Sequence, residues 1–183
     1  MYEDKERWNK RHVEKPMRHN VEPLLEKFIS EANIGKALDI ACGIGRNTHF
    51  MAEKGFEVDA VDISDYALSQ VKDDSNINKI ETDLDTYNIA PKSYDLIINI
   101  NFLSRRLHPQ IKDALKSGGV LIYETFIIAH GDFANPSNPE FLLRKNELLH
   151  SFIGLDIIYY EEKDDINLRG ENTRVASLVA RKA

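Results

Sequence analysis

Two acids and two glycines are spaced so that together they could hold a nucleotide-like ligand: Gly43, Gly45, Asp62 and Asp83. The stretch KALDIACGIGRN joins an apolar run (Ala37, Leu38, Ile40, Ala41) to a two-glycine loop, and a segment of helical character follows. Glycine takes positive φ and admits a ligand without meeting a Cβ. The helix start beyond it offers unpaired N–H groups at the positive end of the helix dipole. Asp62 follows that loop by roughly the 20 residues over which a βαβ unit brings a second strand end beside the first. A carboxylate there can accept both ribose hydroxyl protons, and Asp83, after the next apolar run, can accept from an adenine amino group.

The elements needed to position these groups alternate along the chain. Apolar runs predict strands over 37–41, 57–62, 77–82, 94–100 and 120–126, with helices over 46–54, 66–72 and 109–116 between them. YDLIINI is almost continuously apolar, as a parallel strand buried on both faces requires, and it places Asn101, Phe102 and Leu103 at its carboxyl end. Gly118–Gly119 reads as the turn into the fifth strand. Beyond the turn-rich segment HGDFANPSNP, a helix is expected over 140–152. Two further strands, over 155–162 and 173–181, form a terminal antiparallel hairpin around a polar connection at 163–172.

Upstream, Val21, Leu24, Leu25, Phe28 and Ile29 recur at helical spacing, with Pro23 tolerated in the first turn. This helix should pack on the sheet edge or roof the site. Residues 1–34 therefore read as an N-terminal helical arm or lid, with Trp8, His12 and His19 ahead of the helix, and 35–183 as one domain.

Composition narrows the function. A formal net charge of −6 disfavours attachment to nucleic acid phosphates. Cys42 is the only cysteine, which leaves no internal disulfide and no cysteine-based zinc site, and no metal is expected. The N-terminus lacks an apolar leader and no segment is apolar enough to span a bilayer, so a cytoplasmic protein without membrane partners is expected. Oligomeric state is not readable.

The element order, the loop LDIACGIGRN, the acids Asp62 and Asp83 and the terminal hairpin together resemble the class I S-adenosylmethionine-dependent methyltransferases, over nearly the whole chain. The resemblance implies a Rossmann-like α/β fold with sheet order 3-2-1-4-5-7-6 and strand seven antiparallel. It implies S-adenosyl-L-methionine as cofactor, with Asp39 anchoring the methionine amino group and Gly43 and Gly45 admitting the methionine and ribose. Ala41 and Asn47 belong to the same cofactor loop. Asp62 would bind the ribose, Ile63 cover an adenine face, Asp83 and Leu84 meet the adenine, and Asn101 stand beside the transferred methyl. The loop form DxACGxGRN, with NFLSRRL, YETF and NPSNPEFLLRKNELL, is similar to the tellurite-resistance-type branch and its small-molecule-methylating relatives.

The implied reaction is in-line transfer to a small-molecule acceptor, with a soft chalcogen or thiol as one class of nucleophile needing no base. A hydroxyl or amine would use one, and His130 and Glu124 are the candidates. Arg105, Arg106, Arg144 and Arg169 are candidate anion contacts for the substrate. Cys42 is expected to pack rather than react. Two alternatives remain at this stage. One is a methyltransferase-fold protein that binds cofactor without transfer. The other is a nicotinamide-dependent oxidoreductase, whose third fingerprint glycine is Thr48 here. A nucleic acid methyltransferase is disfavoured by the acidity and by the absence of an NPPY-like motif after strand four.

Overall fold

A computed structural model describes residues 2–14, 18–129, 131–167 and 170–183. Seven strands form one sheet in the order β3-β2-β1-β4-β5-β7-β6. The strands are β1 (Lys36–Ile40), β2 (Glu57–Asp62), β3 (Ile77–Glu81), β4 (Tyr94–Ile100), β5 (Leu115–Phe126), β6 (Asp156–Ile166) and β7 (Asn172–Arg181). The first five pair in parallel, and β7 runs antiparallel between β5 and β6. This is the expected Rossmann-like architecture. The helices are α1 (Tyr2–Glu14), α2 (Pro23–Phe28), α3 (Arg46–Glu53), α4 (Asp65–Gln70), α5 (Leu107–Ala114) and α6 (Glu147–Ser151).

Period-two alternation divides the central strands between two cores. On one face Leu38, Ile40, Ile97, Leu121 and Tyr123 pack beneath α5 and α6 through Leu107, Ile111 and Leu148. On the other, Ala37, Leu96, Ile98, Val120 and Ile122 meet Leu24 and Leu25 of α2 and Met51 of α3. Each large side chain so buried contributes about 1.5–3 kcal/mol, and both layers hold the strand ends that carry the acids.

Several expectations are corrected. The helix read over 21–29 is α2 followed by a 3-10 turn (Ile29–Glu31), and it lies on the sheet face rather than at its edge or over the site. The reason is packing: Leu24, Leu25 and Ile29 form an apolar stripe that covers Val120 and Ile122 of β5. Strand β5 begins at Leu115, so the end of the helix predicted over 109–116 is strand instead. A register shift between Tyr94 and Leu96 and the positive φ of Gly118 accommodate that extension. Gly118 N–H donates to the Lys182 carbonyl at 2.8 Å.

The helix expected over 140–152 breaks into a 3-10 turn (Pro139–Phe141) and α6. Leu143 between them pairs with the end of β5, donating to the Phe126 carbonyl at 2.9 Å. Strand pairing here outweighs a helical period. The hairpin ladder also continues to Ile166 opposite Asn172, which shortens the connection read over 163–172.

The N-terminal arm crosses the carboxyl end of the sheet. Lys5 bridges Asp65 at 2.8 Å and Glu81 at 2.6 Å, which seats α1 on α4 and the end of β3. Asn9 donates to Asp65 at 2.7 Å and accepts from the Ser64 hydroxyl at 2.6 Å. Further along, the Arg18 guanidinium donates to the Ile166 carbonyl at 2.8 Å, and the Asn20 carbonyl accepts from Arg46 at 2.7 Å. Residues 18–22 thus run from the end of β6 to the start of α3.

Candidate active site

The loop between β1 and α3 is held by backbone geometry that few sequences tolerate. Ala41, Gly43 and Gly45 all have positive φ, at 55°, 55° and 79°. For Ala41 that conformation is strained, and the surrounding bonds must hold it. Asp62 does much of this holding. Its Oδ2 accepts from the Gly43 N–H at 2.8 Å and its Oδ1 from the Ser64 N–H at 2.9 Å, so one carboxylate ties the β1 loop to the end of β2. A carboxylate has about four acceptor positions, which leaves two for ligand hydroxyls.

Asp39, at the end of β1, is buried and accepts from the Thr48 hydroxyl at 2.6 Å. Burial pushes its carboxyl up to about 7; the Thr48 bond and the Arg46 charge act in the opposite direction. Cys42 is buried beside these acids, and burial, with Asp39 and Asp62, holds its thiol well above its ordinary range. It packs with Ala60, Leu68 and Val71, as expected.

A Cβ at Gly45 would stand 2.8 Å from Val71 Cγ2, so packing and its positive φ both require glycine there. Asn47 is likewise engaged by protein: its Oδ1 accepts from the Glu22 N–H at 3.0 Å, beside the buried Arg46–Glu22 ion pair at 2.9 Å. Both residues position the loop.

Ile63 is half-buried directly after Asp62, and Leu84 is buried. Asp83 Oδ1 accepts from the Asp85 N–H at 2.9 Å in a tight turn. Asn101 is exposed at the end of β4 with φ 59°, and its N–H donates to the Glu124 carbonyl at 2.8 Å. These groups lie at the carboxyl ends of β1, β2, β3 and β4, the edge where open α/β sheets bind ligands. His12 of α1 is within electrostatic reach of Asp62, and burial lowers its basicity.

Glu124 stands on the same side of the sheet. Continuing the register sets Asp62, Ala41, Ile100, Glu124 and Ser177 in one row across the sheet. The Glu124 carboxyl is buried, accepts from the Ser177 hydroxyl and lies 3.6 Å from Lys163.

The arginines do not gather there. Arg105 binds Glu147 at 2.6 Å and donates to the Glu140 and Leu142 carbonyls, both at 2.9 Å. Arg106 donates to the Leu84 carbonyl at 2.8 Å and also to that of Tyr87. Both therefore act as loop anchors. Arg144 is exposed and, with Lys145 and His150, rims a separate open cavity of about 570 Å³. His130 and Arg169 lie outside the described residues.

Sequence reasoning misses the hydrogen bonds that the Thr48 and Ser177 hydroxyls donate to Asp39 and Glu124. Thr48 stands out in the sequence only as a missing glycine, although its spacing from Asp39 across a strand–loop–helix unit is a signal that could find it. Among the described residues no group of three His, Cys, Asp or Glu could hold a metal, and no helix is long and apolar enough to cross a membrane.

The family described as "Tellurite resistance protein TehB" matches residues 4–174. A protein of Haemophilus influenzae (strain 10810) named "Probable S-adenosyl-L-methionine-dependent methyltransferase TehB" is 29% identical over 164 residues, covering 80% of this chain and 57% of the relative. The chain thus spans just over half the length of the curated relatives it matches.

Among solved structures, TehB from Haemophilus influenzae superposes with a TM-score of 0.76 at 20% identity, covering 98% of this chain and 67% of that one. A Haemonchus contortus phosphoethanolamine N-methyltransferase 2 in complex with S-adenosyl-L-methionine gives 0.67 at 17% identity, over 87% of this chain and 51% of that one. At these identities the superpositions establish the fold. The match to the family over residues 4–174, nearly the whole length, makes this chain a member of the TehB tellurite resistance family.

Proposed function

We propose that this protein binds S-adenosylmethionine in the crevice between Asp39, Asp62 and Asp83 and transfers its methyl group to a small-molecule acceptor. One observation carries the reading: two buried carboxylates, Asp39 and Asp62, flank the start of α3. A pyrophosphate brought to this helix terminus would meet those charges, whereas an ammonium group and ribose hydroxyls would be matched by them. Thr48, where the dinucleotide fingerprint has a third glycine for close helix–strand packing, carries a side chain bonded to Asp39. The nicotinamide alternative is thereby disfavoured, and the names of the TehB relatives support the same cofactor.

When bound, S-adenosylmethionine supplies a methyl group already activated on a sulfonium. The chain's own residues bind and orient. Asp39 would hold the ammonium, Asp62 the ribose hydroxyls while it keeps the loop in place, and Asp83 with Leu84 and Ile63 the adenine. The arm would exclude water: α1 is fastened beside Asp62 through Asn9 and Lys5, and residues 18–22 cross the sheet end.

A soft chalcogen acceptor, the class the family's name suggests, needs no base. A hydroxyl or amine acceptor would use Glu124, the described candidate for proton acceptance. Titration calorimetry with S-adenosylmethionine and with NADH separates the cofactor readings, and release of S-adenosylhomocysteine then reports transfer.

A further inference from the structure

We infer that Asn99, Tyr123 and His108 are positioning residues: buried behind the cofactor edge, they set the loop between β4 and α5, and the Asn99 amide completes its hydrogen bonding when that loop seats on bound cofactor. The inference rests on the methyltransferase reading, which sets Asn101 of this loop beside the transferred methyl. Its first support is the loop itself. Asn101 holds a φ of 59°, a left-handed conformation that a non-glycine residue keeps where its surroundings impose it. Its N–H donates to the Glu124 carbonyl at 2.8 Å, and the next carbonyl, that of Phe102, accepts from the Tyr123 hydroxyl at 3.2 Å. Arg105 and Arg106 tie down the far end of the loop.

The second support is what holds Tyr123. Its side chain is fully buried, and its oxygen lies 3.3 Å from His108 Nε2. The hydroxyl gives its proton to the Phe102 carbonyl, so it accepts from His108, which fixes that imidazole's proton on Nε2. Burial lowers His108 to about 4, so the ring is neutral near pH 7 and keeps this role. It packs edge-on against Tyr123 and tilted against Phe152, with centroids 5.7 and 5.1 Å apart. The same core cluster contains Leu103 of the loop and Leu84 beside Asp83, with Ala41 packed against it. A shift of the Tyr123 hydroxyl is therefore passed to residues at the cofactor edge.

The third is Asn99. Register sets it between Ile40 of β1 and Tyr123 of β5, and alternation sends its side chain to the face of Ile97 and Tyr123. It has no exposed surface, and neither its Nδ2 nor its Oδ1 has a hydrogen-bond partner among the described residues. An amide buried bare in this way destabilises the fold, and at a strand position an apolar β-branched residue would be tolerated better. Burial disfavours ionisation of the Tyr123 hydroxyl and the Asn99 amide acts in the opposite direction, which sets the amide close to that oxygen. The oxygen has a second lone pair, and Asn99 Nδ2 is the donor placed to fill it once the loop moves onto a ligand.

The test uses the full chain: calorimetry with S-adenosylmethionine and with S-adenosylhomocysteine, thermal melts, and amide exchange at Asn101. Asn99→Val removes an amide unpaired in the free protein and paired in the loaded one. Its melting temperature should therefore rise while its affinity for both molecules falls about fivefold or more. Tyr123→Phe should speed Asn101 exchange about tenfold and weaken binding in the same direction. Combining it with His108→Leu removes the stranded imidazole N–H, so the melt should recover while fast exchange and weak binding persist, because the Phe102 carbonyl still lacks its donor. A merely structural role predicts that affinity recovers with stability. Unchanged affinity in Asn99→Val, an Asn99→Val protein that melts below the wild type or does not fold, or unaltered Asn101 exchange in Tyr123→Phe overturns the inference. Failure of the wild-type protein to bind either molecule refutes instead the reading on which it rests.

Discussion

Protonation of Asp39 should set the pH dependence of cofactor binding. Its carboxyl is raised to about 7 by burial, with Thr48 and Arg46 restraining the rise and Asp62 adding to it. An ammonium ligand requires the ionised form. One pH unit below the midpoint about ten molecules in eleven are protonated, so affinity at pH 6 should be about elevenfold weaker than its plateau, about 1.4 kcal/mol. Binding at pH 6 should release about 0.9 proton, measurable by calorimetry in two buffers of different ionisation enthalpy. The useful window closes near the pH at which the ligand's own α-amino group titrates, about 7.7–8.0.

Two variants sharpen the expectation. Asp39→Asn should weaken binding and abolish the slope. Thr48→Val removes the hydroxyl that favours the charged form, so its midpoint should move up. Stability follows the same proton with the opposite benefit. The folded-state value lies above the ordinary 3.8, so the folded form holds the proton more tightly. This group's contribution is complete below about pH 4 and is lost as pH rises through about 7, on the order of 4 kcal/mol. Affinity flat from pH 6 to 7.5 with no proton release would refute the placement of an ammonium at Asp39.

Three other expectations concern the loop and the arginines. Asp62→Asn should weaken S-adenosylmethionine binding by about 1–3 kcal/mol, because a charged acceptor is lost to buried N–H groups and to the ligand together; calorimetry alongside a thermal melt separates the two losses. Gly45→Ala should destabilise the fold by about 1–3 kcal/mol through its φ of 79° and the 2.8 Å approach to Val71. Combining it with Val71→Ala should relieve the clash but not the dihedral strain, so denaturant unfolding should show the double variant as less than additive. Arg105→Ala should loosen the segment around Glu140 and Leu142, seen as faster amide exchange there, and should not alter preference among anionic acceptors.

The fold is legible in the sequence because its signals are local and agree with one another. A continuous apolar run marks β4, and the strand–glycine–helix unit with its two later acids marks the carboxyl edge. Elements are misread where a distant strand decides the outcome. Leu115 and Leu143 sit in segments with helical character, yet pairing with Tyr94 and with the end of β5 takes them. The site divides similarly. Asp39 and Asp62 are found at the start of α3 as their spacing indicates, while Gly45 and Asn47 engage Val71 and Glu22. Arg105 and Arg106 look available because a sequence does not show which carbonyls a guanidinium will meet. Ser177 cannot be tied to Glu124 before the antiparallel register is known.

The most direct test of the central claim is calorimetric titration of the purified protein at pH 7.5 with S-adenosylmethionine, with NADH in parallel. Micromolar binding of S-adenosylmethionine, lost in Asp39→Asn and weakened in Asp62→Asn, with no binding of NADH, is the predicted result. Binding of NADH in preference, or S-adenosylmethionine affinity indifferent to both acids, would contradict it.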